Sequence, residues 1–432
     1  MDTLGVVGGR VLNPDGAVRR ADVLVDREAG EILTVEGEAA ADADERLDAD
    51  GGLVIPGLVN AHCHMAMSLL RGYAAEKPLQ AWLTEEVGPV EAVFDAEDVR
   101  AGTELALVEL IRSGVTAVGD MYFETGAVAD AVAQAGLRAR LGFGVVTVTK
   151  DESGAQADVE ESLRVAREFD GAADGRIRTA VMPHSLTSVG ASYLEDAAER
   201  AREAGHSLHF HANETAGEVE PVVEEHGRRP LAYADDLGLL RDSYVAHAVH
   251  VDETEIELLA DREVGVAHCP AANAKLASGI APVQRLLDAG VTVGLGTDGP
   301  ASNDDLDLFD EMRDAAMVGK LADGDATAVS AESVIEMATA GGARLLGFDD
   351  SGRIEPGANA DLAVVDTDAP HLTPEHDPVS LLVYAARGSD VIHTIADGEV
   401  LMRDREVLPF DTAAVEERAA ERAAAAVERA ED

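Results

Sequence analysis

Two histidines one residue apart, His62-Cys63-His64, are the first residues of the 432-residue chain whose spacing could do chemistry. Side chains on a β-strand alternate with period two, so both imidazoles point to the same face. With a third imidazole from another strand they make a nitrogen-rich site suited to Zn2+, and also to Fe or Mn. Taken alone, the pair fits core or turn histidines better than a metal pair; its weight comes from similar residues elsewhere in the chain. His184, His211-Ala212-Asn213-Glu214, His247 with His250, and Thr297-Asp298-Gly299 each close an apolar strand candidate. A divalent ion held by such groups lowers the pKa of water from roughly 16 to about 7, giving a nucleophile at neutral pH. Glu214, three residues after His211, suits a proton shuttle, or else a surface acid at a helix start. Asp298 suits a ligand, or else a cap for a following helix, with Ser302 and Asn303 close by.

Positioning these residues requires a particular set of elements. Between about 56 and 350 the pattern alternates strand and helix. The strand candidates are 53–64, 115–122, 138–146, 177–185, 207–214, 244–251, 265–270 and 291–298, with helices expected over 97–113, 155–169, 192–204, 253–261 and 282–288. Eight strands joined by helices predict an α/β fold, a (β/α)8 TIM-type barrel, whose catalytic groups sit at the C-terminal strand ends. That is where the polar residues above fall. Short β segments flank this region: 6–12, 22–25 and 32–35 before it, and 361–366, 391–396 and 399–402 after it. Asp397-Gly398 is a hairpin signal. A small β-sandwich domain built from both chain ends is therefore expected. The expected boundaries are 1–55 for its N-terminal part, 56–352 for the barrel, 353–411 for its C-terminal part and 412–432 for an Ala/Glu/Arg-rich helix, docked or exposed.

Composition narrows the classes further. Hydrophobic residues make up 46% of the chain, enough for a large core. No run of about 20 apolar residues predicts a membrane span, and the N-terminus lacks the pattern of a signal peptide. Cys63 and Cys269 cannot make a disulfide framework, so a reducing, cytoplasmic setting is expected. The formal net charge is −49, from 83 acidic and 34 basic residues. The only lysines are Lys77, Lys150, Lys275 and Lys320. Acids scattered over the whole chain predict a solvating surface adapted to concentrated salt, more than one cationic partner face. Nucleic acid is disfavoured as a partner, because phosphate backbones need a basic footprint.

Longer strings add a resemblance. Residues 56–64 (PGLVNAHCH), 209–215 (HFHANET), 246–250 (AHAVH) and 296–299 (GTDG) resemble the amidohydrolase superfamily. They are most similar to its aminohydrolase branch of 5-methylthioadenosine/S-adenosylhomocysteine deaminases and related chlorohydrolases. The resemblance covers nearly the whole chain. It implies one divalent metal, Zn2+ foremost and Fe2+ as a second choice, held by His62, His64, His211 and Asp298. Binuclear members use a carboxylated lysine at the end of strand four, where this chain has Met182-Pro183-His184. Glu214, His247 and Asp298 are the implied catalytic residues, with Glu91, His184, Glu214 and Asp298 against a small nucleoside-like substrate, Glu91 on its ribose hydroxyls.

The implied reaction is hydrolytic deamination of an adenosyl compound (5′-methylthioadenosine, S-adenosylhomocysteine or 5′-deoxyadenosine) to the inosine-type product and ammonia. The same fold and metal acting on guanine, a cytosine analogue or an s-triazine is the alternative. A catalytically silent structural subunit is a remoter one, since ligands and shuttle acid are all present. Adenosyl deaminases with charged substrate tails are expected to carry arginines after strand three; this chain has Phe143 and Lys150 there, which favours apolar 5′ groups. Members are commonly homo-oligomers, so self-association is an expectation.

Overall fold

The computed structural model describes residues 2–431 except 75 and 78, with only the backbone at 80. Eight parallel strands form one sheet in chain order. They are β1 (Leu58–Cys63), β2 (Val115–Tyr122), β3 (Arg138–Val145), β4 (Ile177–Pro183), β5 (Ser207–Ala212), β6 (Ser243–His247), β7 (Gly265–His268) and β8 (Val293–Leu295). The sheet curls round until its ends meet. Cys63 bridges Asp298 in parallel, the Asp298 amide donates to the His62 carbonyl at 3.1 Å, and Asn60 and Thr297 exchange hydrogen bonds of 2.8 and 3.1 Å. Gly296 permits this closure, because a Cβ there would lie 2.9 Å from the His62 backbone. The result is the expected (β/α)8 barrel.

Several elements differ from expectation, each for a local reason. The segment 53–64 is two strands: Leu53–Pro56 pairs with Leu362–Val365 in the flanking sheet, while β1 joins the barrel. Gly57 is the hinge between them, since a Cβ would meet the Thr116 hydroxyl at 2.2 Å. β5 and β6 stop short because Asn213, His247 and Ala248 adopt left-handed backbone (φ 54°, 73° and 48°), which breaks the ladder and re-aims the side chains. β8 keeps only three residues of the expected eight. The five expected helices are present within a few residues, and Asp95 and Asp252 close capping boxes on two of them. The helices Thr125–Ala135, Ala216–His226 and Leu308–Asp323 were not anticipated.

The flanking β structure comes from both chain ends. Thr3–Val7, Asp22–Asp26, Glu31–Glu36 and Glu45–Asp48 form a four-stranded sheet; Arg10–Leu12, Val18–Arg20 and Leu53–Pro56 join C-terminal strands in a seven-stranded one. The expected strand over 6–12 thus contributes to both sheets, with Gly8 (φ 76°) at the crossing. Leu4, Val23, Val25, Val54, Leu362 and Ile395 are buried in the core they enclose. Arg138, at the start of β3, ties barrel to sandwich with 2.8 Å ion pairs to Asp361 and Asp397.

The C-terminal helix Thr412–Glu431 is docked, not exposed. Val415, Ala419 and Ala426 are buried, and Arg422 and Arg429 reach the fully buried Asp98 at 2.7 and 2.5 Å. No helix among the described residues is long and apolar enough to cross a membrane.

Candidate metal centre and active site

The polar residues at the strand ends converge. One ligand-capable atom from each of His62, His64, His211 and Asp298 lies within 4.8 Å of every other. Asp298 Oδ1 is 3.2 Å from His64 Nε2 and 3.5 Å from His62 Nε2; His64 and His211 bring their Nε2 atoms to 3.3 Å. The opposite nitrogens fix the tautomers. His64 Nδ1 donates to the Met121 carbonyl at 2.7 Å, and His211 Nδ1 to the His184 carbonyl at 2.7 Å. His62 Nδ1 faces His209 Nε2 at 2.8 Å, while His209 Nδ1 donates to the Tyr244 carbonyl at 3.0 Å. His209 therefore accepts, His62 Nδ1 carries the proton, and the Nε2 atoms of all three rings face inward.

This arrangement fits a divalent cation. His62 Nε2 is buried with no good hydrogen-bond partner among the described residues, an orphan that a protein interior rarely tolerates. Burial pushes the His62 imidazole down to about 3, which keeps it a neutral donor. Burial also works against charge on His64, but the Asp298 carboxylate outweighs it and raises His64 to about 9. Against its own burial, Asp298 is held well below the usual carboxylate range by His62 and His64. Ser302 donates to Asp298 Oδ2 at 2.6 Å. The following helix, Pro300–Asn303, is preceded by Gly299 and takes no side-chain cap from Asp298; its Ser302 instead orients the carboxylate. Ring-nitrogen donors braced by two carbonyls and an imidazole, with one braced carboxylate, fit the pattern of a metal site with an outer shell.

Beside this cluster lie an acid and a base. His247 Nε2 is 3.8 Å from Glu214 Oε2, and its ring centre is 5.4 Å from that of His211. His247 Nδ1 pairs with Asn273 Oδ1 at 3.0 Å, so Nδ1 is the protonated nitrogen and Nε2 faces the site as an acceptor. Burial raises the Glu214 carboxyl above its ordinary range. Glu214 also accepts from Ser278 at 3.3 Å, and its amide is held by Glu218 at 2.9 Å. Glu214 is thus no surface acid.

The remaining expected residues ring the same end. His184 lies with its ring centre 4.5 Å from that of His211 and its Nδ1 3.0 Å from Ser188; burial first, then the His64 charge, lowers it to about 4. Glu91, half-buried on the short helix Gly88–Glu91, accepts a hydrogen bond from the Tyr122 hydroxyl, and burial raises its carboxyl. Phe143 packs edge-on against Phe123 at 5.8 Å, next to Tyr122. Lys150 is committed to Asp158 at 2.5 Å. His250 is tied to the Ser278 carbonyl at 2.7 Å and is not one of the four clustered residues. Sequence reasoning missed His209, Asn273, Ser278 and Tyr122. His209 was legible, because His209-Phe210-His211 repeats the His-x-His spacing on one strand face.

Residues 53–401 match the model of the amidohydrolase family. A 5-methylthioadenosine/S-adenosylhomocysteine deaminase of Haloarcula marismortui is 66% identical, with 100% of each chain covered. A 5′-deoxyadenosine deaminase of Methanosarcina acetivorans is 43% identical, over 97% of this chain and 96% of its own. Among solved structures, an adenosine deaminase of Xanthomonas campestris with bound zinc superimposes with a TM-score of 0.92 at 37% identity, covering 98% of both chains.

Proposed function

The chain belongs to the amidohydrolase family, and on that premise we propose that it hydrolytically deaminates an adenosyl compound (5′-methylthioadenosine, S-adenosylhomocysteine or 5′-deoxyadenosine), releasing ammonia. The observation that carries this reading is the pairing of Glu214 and His247 beside a four-residue ligand cluster. The names of the similar deaminases support the substrate class.

His62, His64, His211 and Asp298 would hold one divalent cation. Three imidazoles and a carboxylate favour Zn2+, which the similar Xanthomonas structure contains, and also accept Fe2+. When bound, that ion supplies Lewis acidity that makes water nucleophilic near neutral pH. The protein's groups do the rest. Asp298 takes the proton of the attacking water, and His247, fixed by Asn273, orients that water through Nε2. Glu214, whose raised pKa lets it hold a proton, delivers it to the ring nitrogen beside the amine-bearing carbon and then assists the departure of ammonia. Glu91, braced by Tyr122, holds the ribose hydroxyls, and His184 borders the base. Phe123 and Phe143 give the 5′ end an apolar wall, and Lys150 is tied up by Asp158, so 5′-methylthioadenosine and 5′-deoxyadenosine are favoured over S-adenosylhomocysteine.

In the same reading, residues 56–352 form the catalytic unit, with 1–55 and 353–411 as its sandwich and 412–432 as a bracing helix. A cytoplasmic setting accords with two free, buried cysteines. The test is ammonia release from 5′-methylthioadenosine, S-adenosylhomocysteine, 5′-deoxyadenosine, adenosine, guanine and cytosine. Turnover of the adenosyl compounds is expected, highest for those with apolar 5′ groups; activity on guanine or cytosine alone would refute the assignment.

A further inference from the structure

The opposite mouth of the barrel contains a second polar site. A cavity of about 450 Å³ opens among the N-terminal ends of the strands. Arg140 of β3, only 9% exposed, points into it. One of its terminal nitrogens donates to the Leu345 carbonyl at 3.2 Å. Its guanidinium lies over Gly347, where a Cβ would come within 2.6 Å of Arg140 Nη2 and 3.4 Å of Arg178 Nη1. The bare glycine backbone thus lets two cationic groups share one wall. Among the described residues, neither Arg140 nor Arg178 has a carboxylate within 4.0 Å, whereas the equally buried Arg138 on the same strand has two. Asp170, Asp242, Glu263 and Asp349 also line the cavity, as does Arg344, and Asp170 is engaged by the Thr179 amide at 3.3 Å.

Three buried polar atoms in the same wall lack partners among the described residues: Arg140 Nε, Ser243 Oγ and Tyr244 Oη. Tyr244 is only 2% exposed, and burial pushes its hydroxyl well up, so it stays protonated and able to donate. Asp242 and Asp170 act on Arg140 only from beyond ion-pair distance; a buried guanidinium with no carboxylate in contact is costly, and unpaired buried donors add to the cost. An arginine fork with a hydroxyl donor is the donor set that recognises an anion.

We propose that this mouth is a binding site for a small inorganic anion, held between Arg140, Arg178 and the Tyr244 hydroxyl. The site lies directly behind the metal centre, because the Tyr244 ring stacks on His209 with ring centres 3.9 Å apart, and His209 is the residue that braces His62. The bound anion gives Arg140 the contact ion pair that no carboxylate among the described residues makes within 4.0 Å.

The test uses the intact protein. Crystals soaked in bromide and, separately, in selenate are examined by anomalous scattering. A peak at hydrogen-bonding distance from Arg140 and Tyr244 is expected; a bromide peak identifies a halide site, and a selenate peak an oxyanion site. No peak there with either ion overturns the proposal. In solution, at constant ionic strength, the melting temperature is followed as that anion replaces gluconate. The midpoint is expected to move roughly tenfold or more to higher concentration in Arg178→Gln and in Tyr244→Phe, each of which removes a donor. Midpoints equal to that of the unaltered protein in both variants would also overturn it.

Discussion

Replacing His209 by leucine separates the metal site from the fold that carries it. His209 is 1% exposed and makes no direct contact with the ligand cluster's open centre; its Nε2 accepts the His62 Nδ1 proton at 2.8 Å. Leucine fills similar space but accepts nothing. His62 then keeps a buried Nδ1–H without an acceptor, or turns its ring and withdraws Nε2 from the site. Losing such an outer partner costs about 10–100-fold in metal affinity, or ~1.4–2.8 kcal/mol. Competition against a chelator of known affinity measures this directly. At a fixed excess of free Zn2+, the metal-dependent part of the stability should fall by the same amount. The metal-free variant also loses the Tyr244 stack and a hydrogen bond, so its stability drops as well; the affinity is the discriminating quantity. Unchanged affinity alongside a less stable metal-free protein would show that His209 only packs the barrel and that His62 is not oriented through it.

Three further outcomes are expected from the same contacts. Glu214→Gln should retain bound metal but lose roughly 10²–10⁴ in kcat, the usual worth of a positioned general acid; near-normal turnover would remove the proton-transfer role. Burial, with repulsion from Asp310, raises Asp305 to about 7. Because its folded pKa lies above the unfolded one, the favourable protonated state is fully populated below about pH 4 and is lost as pH rises through 7. Asp305→Asn should therefore stabilise the protein by on the order of a few kcal/mol at pH 8 and hardly at all at pH 4, measured by denaturant unfolding; an equal effect at both would contradict the assigned cause. With a net charge of −49, raising salt from about 0.1 to 1 M shortens the screening length from roughly 10 to 3 Å, so the melting temperature should climb steeply; a flat response would refute the salt-adapted reading of the surface.

The barrel was legible because its strands are short apolar runs ending in polar residues, and that end-loading showed which mouth holds the chemistry. The strand ends themselves were not legible. His247 and Asp298 adopt left-handed backbone (φ 73° and 59°), a tertiary choice that no propensity encodes, and it is what turns both side chains toward the cluster. The split at Gly57 was hidden inside one continuous apolar run, since only the Thr116 side chain opposite shows why a glycine is needed there. Ser302 was visible as a helix-start residue, yet its role is to hold Asp298. Asn273 lies in Pro270–Lys275, an alanine-rich turn of helix with no chemical signature; only the fold brings it to His247. The docking of the terminal helix depended on Asp98 and Glu104, acids that look like ordinary surface charge in so acidic a chain but sit buried beneath its arginines.

The most direct measurement strips the protein of metal with a chelator and follows conversion of 5′-methylthioadenosine to its inosine-type product, with ammonia assayed in parallel. The stripped protein should be inactive, and one equivalent of Zn2+ or Fe2+ per chain should restore turnover with one ammonia per product. Full activity in metal-free protein, or a requirement for two metal ions per chain, would contradict a single-metal hydrolytic deaminase built on His62, His64, His211 and Asp298.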